Sequence, residues 1–387
     1  MAPSSGFTFP DPPSAPTFIA GGRGAVRLTN TCLQRSAKMP LTIKIFQEVG
    51  SQTSHLLLAA ALSSSERWEV ADLYMQPWLL QKMAIINGSF SALKTLLVSV
   101  DLNMNMNGYE DEDEDENEEF EGLDEAFWNM FAVAPQLRSL QALSWMDDFR
   151  RTPFHLPWHQ LTRLSTTFTS NTEALVTLRQ LSDIIECRFT ISKTEILPVD
   201  YSTIHLSHLR SLALQIETDE DEPVDTHQKH TSLLDFLETP CLQQLVTHKT
   251  ADEAAVLGLV ARSNCAASLE SLNFHADSVD HSLMLRLAQK LPYLTTLVIG
   301  DFDGTLLPVS PVPAFIQTFS KQWIGARKIF PNHPRQIEVR IVDKRLSLQA
   351  VRDITPMLLT IDKDGLFFGI VPFPAFPQII FERFDYY

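Results

Sequence analysis

Cysteine is scarce and scattered in this sequence. The four thiols, Cys32, Cys187, Cys241 and Cys265, are far apart and form no Cys-x-x-Cys pair. That spacing argues against a structural zinc site and against a disulfide framework, and suits buried thiols in a reducing compartment. Long apolar runs are missing too, since none approaches the roughly 18 residues that span a bilayer. The N-terminus, MAPSSGFTFPDPPSAPTF, has no basic start followed by an apolar core, so no secretory signal is expected. The expected location is cytoplasmic or nuclear, with no membrane partner. Nothing suggests the basic face that a nucleic-acid partner would need. Gly-x-Ser-x-Gly and Walker sequences are absent, and Gly21-Gly22-Arg23-Gly24 lacks the preceding strand and the spacing of a phosphate loop.

What is present is an ordinary globular composition, 44% hydrophobic and 20% charged, in a chain of 387 residues that has room for two or three domains. The net charge of −16 is not spread over the surface. Glu110 to Glu121 (EDEDEDENEEFE) holds ten carboxylates and no base, and Glu217 to Asp225 (ETDEDEPVD) holds six more. Together they equal the net charge, so the remainder of the chain is neutral. Like charges in a block repel and stay solvated, so acidic loops are expected at 107–122 and 217–230, solvated or docking a basic partner.

A pattern of apolar, two variable, apolar, one variable, apolar recurs along the chain. Copies stand at Trp68-Ala71-Leu73, Leu93-Leu96-Val98, Leu137-Leu140, Leu161-Leu164 and Ile184-Cys187-Phe189. They continue at Leu209-Leu212-Leu214, Leu242-Leu245, Leu269-Leu272-Phe274 and Leu294-Leu297-Ile299. Successive copies start 25, 44, 24, 23, 25, 33, 27 and 25 residues apart, and the two long intervals hold the acidic blocks. Without those blocks the spacing is the 20–29 residues of leucine-rich repeats. Between strands, buried helix faces are expected at Gln52 to Leu62, Leu123 to Ala134, Asp252 to Ala261 and Leu283 to Leu291. Alternating strands and helices at this period predict an α/β leucine-rich-repeat-like solenoid, with a curved parallel sheet and outer helices.

Three segments follow: residues 1–30 as a disordered Pro/Gly/Ser-rich N-terminus, 31–300 as the solenoid, and 301–387 as a C-terminal cap. The variable strand positions define the concave face. Its candidate partner-binding residues are Ser139, Gln141, Arg163, Glu186, Arg188, Ser211, Gln244, Ser271, Asn273 and Thr296. Small, amide and a few charged side chains make a contact surface without a nucleophile beside a base. No catalytic residue, metal or cofactor is expected.

One stretch points elsewhere. Thr295 to Leu307, TTLVIGDFDGTLL, resembles motif I of the haloacid dehalogenase superfamily, in which Asp301 would attack phosphorus and Asp303 would act as general acid. Only 82 residues follow Thr305, and none carries the family's second metal-binding motif. The repeat already accounts for Leu294, Leu297 and Ile299. The other candidates are weaker. Pro157 interrupts the i, i+4 pair His155 and His159, His227 and His230 read as loop histidines, and Asp362 to Gly365 lacks the glutamate that closes a calcium loop.

Several phrases resemble the leucine-rich-repeat region of fungal, basidiomycete-type F-box proteins. They are Leu33-Gln34-Arg35-Ser36 with Pro40-Leu41-Thr42-Ile43, then Ser65-Glu66-Arg67-Trp68, then Ala134-Pro135-Gln136-Leu137. Leu156-Pro157-Trp158 follows in the same order. The resemblance implies a substrate receptor of a cullin-type ubiquitin ligase, with an F-box holding a Skp-type adaptor and the repeats holding the target. No Leu-Pro-x-Glu string precedes Leu33, so the F-box itself is expected to be missing. Structural scaffolding without a regulated target is the other non-enzymatic expectation.

Overall fold

The computed structural model describes residues 23–46, 54–75, 89–100, 129–144, 156–193, 202–216, 232–248, 253–275, 293–301, 337–343 and 366–372, with a few single positions between them. The chain divides into two compact units, Met1–Pro157 and Trp158–Tyr387.

The first unit opens with helix α1 (Arg23–Arg35) and strand β1 (Leu41–Phe46), followed by α2 (Ser54–Leu62), β2 (Trp68–Met75), β3 (Thr95–Val100) and β4 (Ser139–Ser144). The strands are parallel in the order β1-β2-β3-β4. Their register aligns the apolar positions into two columns, Ile43, Ala71, Leu96, Leu140 and Ile45, Leu73, Val98, Ala142. From β2 to β4 these side chains are buried. Below them Trp68 meets Phe90 edge-on at 5.6 Å, and Phe90 meets Phe131 at 4.9 Å, all three essentially without exposure.

α1 packs against α2 and ends where Ala37 takes a left-handed φ of 46°, a turn that closes helices. The Arg67 guanidinium reaches back to that end. It donates to the Leu33 carbonyl at 3.2 Å, to Ser36 Oγ at 3.0 Å and to the Ala37 carbonyl. A cation is favourable there, where the helix leaves carbonyls unpaired.

The second unit runs β5 (Arg163–Ser170), α3 (Asn171–Leu178), β6 (Glu186–Lys193), β7 (Ile204–His205), β8 (Ser211–Ile216), β9 (Leu237–Glu238) and β10 (Gln244–His248). It continues α4 (Glu253–Ser263), β11 (Ser271–His275), β12 (Thr296–Asp301), β13 (Ile337–Asp343) and β14 (Leu366–Pro372). Eight strands are parallel in the order β5-β6-β8-β10-β11-β12-β13-β14, and β7 and β9 form a separate two-stranded ladder. One column reads Leu164, Cys187, Leu212, Leu245, Leu272, Leu297. Each of these is at most 3% exposed, so each buried leucine contributes roughly 1.5–3 kcal/mol. β13 and β14 extend the column in register with Val339 and Phe368.

One hydrogen-bond device repeats at the start of six coils. A single carbonyl accepts from two successive N–H groups of the next coil. Lys94 O serves Arg138 and Ser139, Thr162 O serves Ile185 and Glu186, and Arg210 O serves Gln243 and Gln244, all at 2.8–3.0 Å. Within each unit the coils stack parallel and in register, which makes the fold an α/β leucine-rich-repeat-like solenoid.

Some expectations change. Residues 23–30, expected to be disordered, are the first turns of α1. The expected boundary at 300/301 falls inside β12, and the C-terminal segment contributes β13 and β14 to the sheet. β1 is a further copy, Pro40-Ile43-Ile45, 28 residues before its β2 register partners. The helices at Gln52 to Leu62 and Asp252 to Ala261 stand as α2 and α4, with ends shifted by up to two residues. Helix Leu283 to Leu291 lies outside the described residues, except for helical, exposed Lys290 and buried Leu291 at its end. Of Leu123 to Ala134, only 129–134 is described, as a turn that buries Met130, Phe131 and Ala134. Both acidic loops lie outside the described residues.

Candidate functional site

Side chains alternate along a strand, so residues between the column positions fall on the opposite face of the sheet. In the second unit the register places Arg163, Glu186, Ser211, Gln244, Ser271 and Thr296 in one row across β5 to β12. At about 4.8 Å per strand the row is roughly 24 Å long. Arg163 and Gln244 are exposed, and Glu186, Ser211, Ser271 and Thr296 are half-buried. Arg163 Nε stands 3.1 Å from Glu186 Oε2, with both side chains about half exposed. Such a pair contributes about 0–1 kcal/mol to stability.

A second row runs Ser165, Arg188, Ala213, Val246, Asn273 and Val298. Arg188 is half-buried here. Asn273 differs from the expectation of a presented contact residue, because it is only 6% exposed. Its register neighbours are the apolar Val246 and Val298, and Oδ1 has no hydrogen-bond partner among the described residues.

The first unit carries Ser139 and Gln141 on β4, both half-buried. The same face holds Leu97 on β3, a variable position of its copy, and residues that sequence reasoning passed over: Asp72 and Tyr74 on β2, Lys44 and Phe46 on β1. The register runs Gln141, Leu97, Asp72, Lys44. Lys44 Nζ is 3.8 Å from Asp72 Oδ2, and the Phe46 and Tyr74 rings lie 6.1 Å apart with Phe46 62% exposed. Burial pushes the Asp72 carboxyl pKa up, and Lys44 offsets only part of that rise. A lone charge in an apolar setting favours its neutral form. The sequence signal for this face was the copy Pro40-Ile43-Ile45, whose intervening positions are Leu41, Thr42 and Lys44.

Cys32 and Cys241 are exposed rather than buried as expected, and the two buried thiols, Cys187 and Cys265, are not poised as nucleophiles. Burial pushes Cys187 far above the usual thiol range and Cys265 up to about 11, so neither is a thiolate at neutral pH. Among the described residues no group of three or more His, Cys, Asp or Glu could hold a metal ion. No described helix is long and apolar enough to cross a membrane. Asp301 ends β12 opposite Asp343 of β13, and Asp303 lies outside the described residues.

Fold and face together define a leucine-rich-repeat-like solenoid with a polar strand face. No family model matches the chain, and no curated protein matches it in sequence. Among solved structures, the crystal structure of the TLR13–ssRNA13 complex is similar at a TM-score of 0.33 and 13% identity, covering 71% of this chain and 31% of that chain. So remote a likeness carries nothing about function, and the chain spans less than a third of that protein's length. The resemblance to F-box proteins rests on its short phrases alone.

Proposed function

We propose that this chain is a non-enzymatic protein-binding module that holds its target on the variable strand face of the solenoid. The observation that carries the reading is the row Arg163, Glu186, Ser211, Gln244, Ser271, Thr296. The backbone register brings six residues from six coils into one line, while burial fixes the residue that follows each in its strand. Positions free of the core, rigidly spaced and rich in hydrogen-bonding groups are where a repeat protein writes specificity.

The finer reading is a substrate receptor of a cullin-type ubiquitin ligase, or a derivative of one, and it rests on the phrases at Leu33, Ser65, Ala134 and Leu156. Two co-purifications separate the parts. Gln244→Arg with Ser271→Arg puts bulk and charge into the middle of the row without touching a column. Proteins recovered by the native chain and lost by this variant are held by the face, and identical recoveries would remove the binding surface from this face. Recovery of a Skp-type adaptor is expected on the ligase reading, and its absence removes that half alone.

A further inference from the structure

The chain is acidic, yet residues 12–47 contain no Asp or Glu and five bases, Arg23, Arg27, Arg35, Lys38 and Lys44. The structure gathers most of these bases on α1 and the turn that follows it. Arg27, Asn30, Gln34 and Arg35 are exposed along one side of the helix, and Lys38 is exposed just beyond its end. Val26, Thr29 and Leu33 on the other side are half-buried, and α1 packs against α2. Arg67 adds its guanidinium at the C-terminal end of the helix. Among the described residues, Arg27, Arg35 and Lys38 have no ion-pair partner.

We propose that the exposed face of α1 docks an extended acidic segment of a partner protein. Arg27 and Arg35 make a sparse ladder, eight residues and about 12 Å apart along α1. Same-side residues of an extended peptide recur at about 6.6 Å, so carboxylates two same-side steps apart, about 13 Å, meet it nearly in step. Duplex nucleic acid carries a charge every ~1.7 Å, a density this sparse ladder does not match. A bilayer would need the apolar side of the helix, which is packed against α2. The net charge of −16 also repels any long polyanion, and that leaves a short acidic stretch as the fitting occupant.

The test uses the full chain and a fluorescent twelve-residue peptide of alternating Glu and Asp, followed by anisotropy. Binding is expected to weaken about tenfold between 50 and 300 mM salt, because exposed charges are screened over about 10 Å at 0.1 M. Arg27→Gln with Arg35→Gln is expected to weaken it about tenfold, while Arg27→Lys with Arg35→Lys preserves it. Both positions are exposed, so circular dichroism is expected to be unchanged in either variant. Equal affinity for the Gln variant, or no binding at all, overturns the proposal. So does a duplex oligonucleotide or an anionic phosphatidylserine vesicle that binds as tightly as the peptide. Binding that appears only after deletion of residues 110–121 overturns it as well, by making the chain's own acidic run the occupant.

Discussion

The two units obey the same rule on one face of their own sheets and different rules on the other. Below the sheet, both stack aliphatic columns in strict register, Ala71-Leu96-Leu140 in the first and Cys187-Leu212-Leu245-Leu272 in the second. Above it, the first unit exposes Phe46 beside Tyr74 and half-buries Asp72 beside an exposed Lys44. The second unit presents hydroxyls, amides and the open Arg163–Glu186 pair. Burial leaves the columns little freedom, because a volume change in a packed core is felt at once. The upper face is free of that constraint, so divergence between units collects there.

The largest expected effect tests the shared rule. Phe131→Ala removes the last ring of the Trp68–Phe90–Phe131 stack and is expected to cost about 3–5 kcal/mol. Urea unfolding would read it directly, and a loss below 1 kcal/mol would mean the stack is not part of a tight core. Arg67→Lys comes next. Lysine cannot supply the fork that reaches three acceptors at once, and the lost charge-assisted bonds are expected to cost about 1.5–3 kcal/mol. Limited trypsin digestion provides a local readout, since cleavage after Lys38 should accelerate when the end of α1 is released. Unchanged cleavage would show that α2 alone holds α1 in place.

How far the sequence carried depends on which column position is occupied. Where a leucine opens a copy, as at Leu209, Leu242, Leu269 and Leu294, the strand lies where the spacing places it. β13 and β14 were faint because register puts Gln336 and Gly365 where that leucine stands, one residue before each strand. β1 was read as part of a family phrase because its opening position is Pro40. α3 was missed although Ser170-Asn171-Thr172-Glu173 has the form of a capping box. Ser170 Oγ does accept from Glu173 N at 3.3 Å, while the glutamate turns instead to Thr169. For the candidate face, the row was legible because strand alternation dictates it. The burial of Asn273 was not, since it depends on neighbours brought in by other coils. The basic side of α1 was hidden by a composition averaged over an acidic chain.

A smaller effect sharpens the comparison from the second unit. Thr247 occupies a column position between Leu214 and Phe274, has no exposure, and its Oγ1 lacks a partner among the described residues. A buried hydroxyl without a partner is a net loss. Thr247→Val keeps the branched shape and is expected to stabilise the chain by about 1 kcal/mol, read again by urea unfolding. A destabilisation would mean the hydroxyl bonds to something beyond the described residues.

The smallest effect concerns Asp72 and separates the two upper faces by pH. Burial raises its pKa, so the folded chain holds that proton more tightly than the unfolded chain does. Stability then falls as pH rises from about 4, the unfolded value, through the raised folded value, and the deficit persists at neutral pH. Asp72→Asn removes the titration. The loss of its long contact with Lys44, 3.8 Å in a partly exposed pair, is worth under about 1 kcal/mol. The variant should therefore gain on the native chain as pH goes from 3 to 7, with Lys44 left solvated. Urea midpoints at the two pH values decide the matter. If the native chain gains on the variant instead, Lys44 outweighs burial at Asp72, and this site joins the Arg163–Glu186 pair as an ordinary surface contact.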